Sequence, residues 1–344
     1  MDRGGTSVIV AIAVGSTATA TIDGISAAGA DPEAMVHTPA ADAEIVTFGE
    51  PVFAPTVPVS PNGCPTPSLV TRAALDHLDV ETMILDAGLS VPTAAPAASV
   101  GSPGGDVRDE RPVPDAATIY ERSARIGRAI RDDEVLIGES VPGGTTTAMG
   151  VLSALGEPTD VSSSLPENPI ARKRRVVETG LAASDVEPGA LADRPIDAVS
   201  LMGDPVLAAV AGLLAGATDG GARVVLAGGS QMAAAAAIAR HAGVEAPLTL
   251  ATTAFVAADE TFDHEAAASA LDLDVAVTDP GFDEGDHVAF ERYRAGEAKE
   301  GVGMGGALRL ADRADVDAAS VRDGVRSYYE TLVEDGSGDD DGPR

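Results

Sequence analysis

Two glutamates in this chain each precede a glycine-rich turn at the expected start of a helix. Glu139 lies in Gly138–Thr147 (GESVPGGTTT) and Glu300 in Lys299–Leu308 (KEGVGMGGAL). In the first segment, Gly143 and Gly144 permit a tight turn. The amides and hydroxyls of Thr145, Thr146 and Thr147 then gather at a helix N-terminus, which suits a phosphate. An ordinary N-capped helix would use the same residues. The segment is not a P-loop, because the lysine of that motif is missing. A carboxylate beside a bound anion is repelled unless it has other work, such as facing a sugar cation or holding a ribose hydroxyl. The second segment contains G-x-G-x-x-G (Gly301, Gly303, Gly306). No clear strand precedes it and no βαβ unit follows, which argues against a dinucleotide site. Its glycines admit a ligand or another backbone and leave Glu300 where a general base would stand. A flexible connector with a solvated glutamate reads equally well from these residues. Ala171–Arg175 (ARKRR) concentrates basic residues in an acidic chain. It reads as an anion contact or as a helix face making salt bridges.

The elements that must position these residues follow a regular pattern. Ser7–Val14 is short and β-branched, as in a buried strand. Asp23–Ala30 is a Gly/Ala loop, Gly49–Pro67 is extended, Ser68–His77 is helical and Thr82–Asp86 is a strand. Pro92–Pro114 is a long loop over the surface or over a site. Strands are expected at Asp133–Gly138, Ile196–Met202, Ala222–Ala227, Leu248–Phe255 and Asp274–Thr278. Helices are expected at Ala116–Ile130, Thr145–Leu155, Pro169–Leu181, Pro205–Ala215, Gln231–Ala242, Glu260–Leu271 and Asp286–Ala295. This alternation predicts an α/β fold: a doubly wound, mainly parallel sheet with helices on both faces. Gly305–Asp312 and Asp317–Val333 add helices that join N-terminal segments in a smaller lobe. The expected partition is 1–115 contributing to both lobes, 116–300 as the α/β core, 301–333 as small-lobe helices and 334–344 as an acidic tail, with Glu334–Asp341 (EDGSGDDD) at its centre.

Composition narrows the partners. The 344 residues include 54 acidic and 23 basic ones, for a net charge of -31, and only Lys173 and Lys299 are lysines. Such a surface repels itself in dilute buffer and is screened in molar salt, as in a salt-filled cytoplasm. Nucleic acid and anionic membranes are disfavoured partners. Aromatics are 3% and Trp is absent, so Ala, Val, Leu and Gly must pack the core. The single cysteine, Cys64, excludes an intrachain disulfide and reads as a small buried residue. The five histidines show no close pairing, so no metal site is expected. Thr6–Ala20 reads as a first strand rather than a signal peptide, and no run reaches the ~18 apolar residues of a membrane span.

At the three motifs the chain resembles the nicotinate-nucleotide:dimethylbenzimidazole phosphoribosyltransferases, and its Asp23–Ala30 loop is similar to one in a shorter, archaeal-type branch of that family. Glu139-x-x-x-Gly143-Gly144-Thr145-Thr146 resembles the family's Glu-x-x-x-Gly-Asn-Thr-Thr loop. Arg172-Lys173-Arg174 is similar to its Arg-Lys-Arg helix start, and Glu300-Gly301-Val302-Gly303 to its Glu-Gly-Thr-Gly signature. Met202–Leu214 and Val224–Ala239 stand where the family has Gly-Gly-Phe-Glu and Asp-Gly-Phe segments. The order of the five segments, over roughly residues 138–310, carries the resemblance. Departures are Gly144 for the Asn, Met202-Gly203-Asp204-Pro205 for Gly-Gly-Phe-Glu, and Ala227-Gly228-Gly229 for Asp-Gly-Phe.

The resemblance implies transfer of ribose 5-phosphate from nicotinate mononucleotide to a benzimidazole, giving α-ribazole 5′-phosphate and nicotinate in cobamide assembly. It implies that Glu300 is the base and that Glu139 supports the oxocarbenium-like centre or holds the ribose. It places phosphate on Gly143, Gly144, Thr145, Thr146 and Lys173, and substrate contacts at Gly203, Gly228, Gly229, Gly301 and Gly303. It implies no metal or redox cofactor, a homodimer and a cytoplasmic enzyme. The alternatives are a non-catalytic nucleotide-binding relative, a transferase with another acceptor base, and a different α/β enzyme such as an NAD(P)-dependent one.

Overall fold

The computed structural model describes residues 6–26 and 32–334. The Asp23–Ala30 loop therefore lies partly, and the acidic tail almost wholly, outside the described residues. The strands are β1 Val8–Gly15, β2 Glu81–Gly88, β3 Ala97–Ser99, β4 Glu134–Ser140, β5 Arg223–Ala227, β6 Leu248–Thr253 and β7 Leu273–Thr278. The helices in the first half are α1 Pro32–Met35, α2 Thr38–Phe48, α3 Ser68–Leu75, α4 Ala116–Ala129, α5 Gly144–Leu155 and α6 Ile170–Ala183. Those in the second half are α7 Pro195–Met202, α8 Pro205–Asp219, α9 Ser230–His241, α10 Ala254–Ala257, α11 His264–Leu271, α12 Val288–Arg294, α13 Met304–Arg313 and α14 Ala318–Tyr329.

All seven strands form one sheet in the order β3-β2-β1-β4-β5-β6-β7. Every pairing is parallel, so the expected mainly parallel sheet is wholly so among the described residues. The strands read as apolar runs because helices cover both faces. Side chains alternate between two cores with the period of a strand. Ala11 and Ala13 of β1, Val135 and Ile137 of β4, and Val224 and Leu226 of β5 enter one core, with residues of α5, α7, α8 and α9. Val10, Ile12 and Val14, Leu136, and Val225 and Ala227 enter the other, with α3, α13 and α14. Helices from both ends of the chain thus share one face of the sheet.

Several elements depart from the sequence reading, among them the short helix α1 and α10, which takes Ala254 and Phe255 from the end of the expected strand Leu248–Phe255. Ile196–Met202, expected as a strand, belongs to helix α7. Its buried residues Pro195, Ala198, Val199 and Met202 recur at i, i+3, i+4 and i+7, and Pro195 opens its first turn. A short apolar run of this length does not distinguish strand from helix on its own. The Pro92–Pro114 loop contains the edge strand β3. Helix α2, buried from Thr38 to Val46, was not expected, because its small residues carry almost no amphipathic signal.

Small residues set the spacing of α4 and α8. A Cβ at Gly216 would stand 2.1 Å from the Ala124 carbonyl oxygen, one at Gly212 2.3 Å from that of Tyr120, and one at Gly127 2.4 Å from that of Leu213. The helices meet backbone to backbone, which explains how a core so poor in aromatics packs densely. Gly216→Val is expected to push them apart and cost about 3 kcal/mol, near the upper end for overpacking. Urea unfolding in molar KCl measures this, and an unchanged midpoint would refute the close approach.

Candidate active site

The sheet reverses its winding between β1 and β4, and loops diverge there at the carboxyl ends of the strands. In such sheets that divergence opens a crevice for ligands. Here it holds a cavity of about 1030 Å³ including its mouth, bordered by the end of β4, by the starts of α5 and α9 and by the loops 58–67, 162–164 and 298–302.

Glu139 sits at the cavity floor, one residue before the end of β4. Val302 N–H donates to its carbonyl at 2.7 Å, which fastens the Glu300 loop directly onto the strand. The approach is close enough that a Cβ at Gly138 would lie 2.6 Å from Gly303 Cα. The Thr71 hydroxyl donates to the Val302 carbonyl at 3.0 Å, and the Thr253 hydroxyl to the Lys299 carbonyl at 2.6 Å. So anchored, the loop tolerates positive φ at two non-glycine residues, Ala298 (44°) and Val302 (54°). Strain of that kind persists only where surroundings over-determine it.

Glu300 Oε1 accepts from Gly305 N–H at 2.9 Å and Gly301 N–H at 3.3 Å, at the start of α13. Its Oε2 has no partner among the described residues. Burial pushes the Glu300 carboxyl up to about 7 in spite of these amides. Burial also pushes Glu139 up to about 8, and the negative charges of Asp204, Glu300 and Asp42 add to the effect. Both glutamates are enclosed by protein, although the cavity leaves part of each open to solvent. At neutral pH the pair therefore shares protons rather than carrying two full charges.

Asp42 and Asp204 complete a group of four carboxylates drawn from separate elements. Asp42, on α2, is buried and lines the cavity. It accepts from Ser140 at 2.6 Å and Thr66 at 2.5 Å, and burial raises it to about 6 against these hydrogen bonds. Asp204 caps α8 through Leu207 N–H at 2.9 Å and accepts from the Thr147 hydroxyl at 2.5 Å and Gln231 Nε2 at 2.9 Å. Burial raises its carboxyl too.

Two helix N-termini face the same space. Gly143 adopts a left-handed turn (φ 82°) before α5, and a Cβ there would meet Ala20 N at 2.9 Å. Gly144 and Thr145 at the start of α5, and Gly229, Ser230 and Gln231 at the start of α9, all line the cavity. Both helices are long enough to present a favourable field to an anion.

The only two lysines of the chain converge beneath the 162–165 loop. Lys173 is fully buried and donates to the Ser162 carbonyl at 2.8 Å. Burial, with the nearby Lys299 charge, lowers its ammonium to about 7. Lys299 donates to the Ser163 and Leu165 carbonyls at 3.1 and 3.2 Å and pairs with Asp259 at 3.2 Å. The remainder of the basic island turns outward, with Arg172 bonded to the Asp23 carbonyl and Arg174 3.9 Å from Asp160.

Among the residues expected to act, Glu139, Gly143, Gly144, Thr145, Gly229, Glu300 and Gly301 line the cavity. Thr146 is buried behind that wall, Gly203 ends α7 against Val199, Gly228 packs on Met232, and Gly303 packs over Ile12. Lys173 holds the cavity-lining loop from behind. Sequence reasoning missed Asp42, Asp204, Gln231, Lys299 and the Ser60–Glu297 contact (2.5 Å) that ties the 58–67 loop to the Glu300 loop. Two of these left a signal: Lys299 is one of two lysines, and Asp204 stands in the segment that replaces Gly-Gly-Phe-Glu. Cys64 is buried in the cavity wall, where burial pushes its thiol well up. No group of three or more His, Cys, Asp or Glu with metal-binding geometry occurs among the described residues. No described helix is long and apolar enough to cross a membrane.

No family model matches the chain. It is 56% identical over 326 residues to a UPF0284 protein of Halobacterium salinarum, covering 94% of this chain and 98% of the relative. It is 40% identical over 333 residues to a UPF0284 protein of Methanothermobacter thermautotrophicus, covering 93% and 92% respectively. Among solved structures it resembles CobT from Thermus thermophilus, with a TM-score of 0.61 at 18% identity over 96% of this chain and 86% of that one. A nicotinate-nucleotide–dimethylbenzimidazole phosphoribosyltransferase structure from the same organism gives a TM-score of 0.58 at 17% identity over 97% and 86%. At such identity the likeness is one of fold.

Proposed function

Because the chain belongs to the UPF0284 family and shares its fold with those transferases, we propose that it moves ribose 5-phosphate from nicotinate mononucleotide to a benzimidazole-type base. The carrying observation is the buried Glu139–Glu300 pair at the floor of a cavity that two helix N-termini face. The helix ends of α5 and α9 hold the phosphate, with the 162–164 loop beside them.

The C1′–N bond of the donor breaks with its electron pair passing to the pyridinium nitrogen, so nicotinate leaves as a neutral ring without a general acid. The acceptor nitrogen forms the new bond to C1′ from the opposite face, and the second ring nitrogen loses its proton to Glu300. A carboxylate whose affinity for protons lies near neutrality suits that transfer. Glu139 stabilises positive charge as it develops on the sugar. Pro58, Val59, Cys64 and Pro65 give the acceptor an apolar wall. No step calls on a metal or redox group. The proposal includes a soluble enzyme acting as a homodimer in a salt-rich cytoplasm.

The test incubates the protein in molar KCl with nicotinate mononucleotide and 5,6-dimethylbenzimidazole, and follows nicotinate and α-ribazole 5′-phosphate chromatographically. Stoichiometric appearance of both is expected. Donor binding without turnover across a panel of benzimidazoles, purines and phenols would instead identify a nucleotide-binding relative.

A further inference from the structure

The apolar wall of the cavity is a small hairpin. Val59 bridges Pro65, Thr66 N–H donates to the Pro58 carbonyl at 3.0 Å, and Ser60 N–H donates to the Cys64 carbonyl at 2.8 Å. Gly63 closes it in a left-handed turn (φ 86°). The inner side, Pro58 to Ser60 and Cys64 to Pro67, lines the cavity. The tip, Pro61 and Asn62, is exposed. Three side chains outside the hairpin each hold it by one hydrogen bond. The Tyr293 and Tyr329 hydroxyls donate to the Pro65 and Gly63 carbonyls at 3.0 and 3.3 Å, and Asp42 accepts from Thr66 at 2.5 Å.

Glu297 holds it by two. This residue is 2% exposed, does not line the cavity, and commits both oxygens to the hairpin. Oε2 accepts from the Ser60 hydroxyl at 2.5 Å and Oε1 from Asn62 Nδ2 at 3.0 Å. Hydrogen bonds to an ionised acceptor are roughly twice as strong as neutral ones. The Ser60 hydroxyl itself accepts from Cys64 and Asn62 N–H at 3.1 and 3.2 Å, so one side chain links the carboxylate to the tip and to the cavity side. Glu297 also stands just before the Glu300 loop in sequence. Between the two glutamates, Ala298 N–H donates to the Ser164 carbonyl at 3.0 Å and the Lys299 carbonyl accepts from Thr253 at 2.6 Å. The hairpin and Glu300 therefore hang from one short, doubly anchored stretch of backbone.

We propose that Glu297 is a positioning residue, which sets the gap between the hairpin and Glu300 and so decides which flat aromatic bases enter. It acts through Ser60 and Asn62 and touches neither substrate nor the reacting atoms. A planar base lies on the apolar side of the hairpin with its N–H edge toward Glu300. The Glu297 bonds fix one side of that gap, and the Val302–Glu139 bond fixes the other. Small displacements of either side misplace the base for proton transfer. The proposal rests on the acceptor wall assigned above.

Cys64, the single cysteine and 2% exposed, reports the position of the hairpin without any turnover. Its rate of labelling by methyl methanethiosulfonate is followed by mass in molar KCl. The wild type is expected to label slowly, and 5,6-dimethylbenzimidazole to slow it further. Glu297→Ala is expected to label about tenfold faster, as the loss of a charge-assisted hydrogen bond permits local opening. Glu297→Gln keeps one accepting oxygen and should fall between the two. Asn62→Ala, at the exposed tip, removes a single bond and should move labelling the same way by about threefold, which decides the matter if Glu297→Ala does not fold. In the transfer assay, Glu297→Ala is expected to raise KM for 5,6-dimethylbenzimidazole about tenfold, to leave KM for nicotinate mononucleotide within about twofold, and to relax rejection of a tricyclic naphthimidazole. Labelling in Glu297→Ala or Asn62→Ala at the wild-type rate, or an equal rise in both KM values, would overturn the proposal. Protection of Cys64 by the base without transfer, lost in Glu297→Ala, would keep the clamp and reject the transferase. Transfer with an unchanged acceptor KM in Glu297→Ala would do the reverse, and absence of both transfer and protection would reject both.

Discussion

Glu300→Gln is expected to lower kcat for base transfer by about 10²- to 10⁴-fold, the range that a positioned general base contributes, while nicotinate mononucleotide still binds. The amide keeps the size of the side chain and can still accept from Gly305 and Gly301, so the loop holds its shape. It loses only the capacity to take the acceptor's proton. The same change is expected to stabilise the unliganded protein above neutrality. Glu300 is raised from 4.5 to about 7 on folding, so the native state binds its proton more tightly than the unfolded chain does. The stability linked to that proton is complete below about pH 4.5 and is lost as pH rises through 7. Glutamine carries no such dependence. Thermal melts from pH 5 to 9 should therefore show the wild type falling relative to the variant. Parallel curves would show that Glu300 is not held protonated, and a kcat within threefold of wild type would remove it as the base.

Lys299→Met is expected to cost about 3–5 kcal/mol, the loss typical of removing one partner from a buried ion pair. The Asp259 and Lys299 side chains are only 6% and 9% exposed. Burial favours protonation of Asp259, but the hydroxyls of Thr261 and Ser162, together with Lys299, hold it below the usual carboxylate range. Without the ammonium the carboxylate is stranded, and the Ser163 and Leu165 carbonyls lose their donor. Asp259→Asn added to Lys299→Met should recover part of the loss, because the two residues are coupled. Chemical unfolding in molar salt measures both, and a single-variant loss under about 1 kcal/mol would show the pair to be incidental.

The strands and their helices were legible because the apolar runs of β1, β4 and β5 are short, β-branched and spaced by helical segments. Glu139 and Glu300 were legible because each stands beside glycines at the mouth of a helix. What brings them together was not. The Val302–Glu139 backbone bond joins residues far apart in sequence, and no local pattern announces it. Asp42 escaped because its helix is buried on nearly all sides and its partners, Ser140 and Thr66, come from distant segments. Lys173 was read from its residue type and its basic neighbours. Its direction, inward to the Ser162 carbonyl, depends on how α6 packs on α5 and α7. Helix α7 was misread because a short apolar run satisfies either period until its neighbours decide which face is covered.

The burial of both lysines has a practical consequence. The side chains of the folded chain offer amine chemistry almost nothing, since Lys173 is fully buried and Lys299 is 7% exposed. Succinimidyl esters, aldehyde fixatives and lysine-directed crosslinkers should leave the native molecule largely unmarked, whatever its concentration. The two side chains become targets only when the 162–165 loop lifts away from them. Amine labelling at those two positions would then act as a clock for opening of the cavity wall formed by that loop, read by mass without any engineered probe.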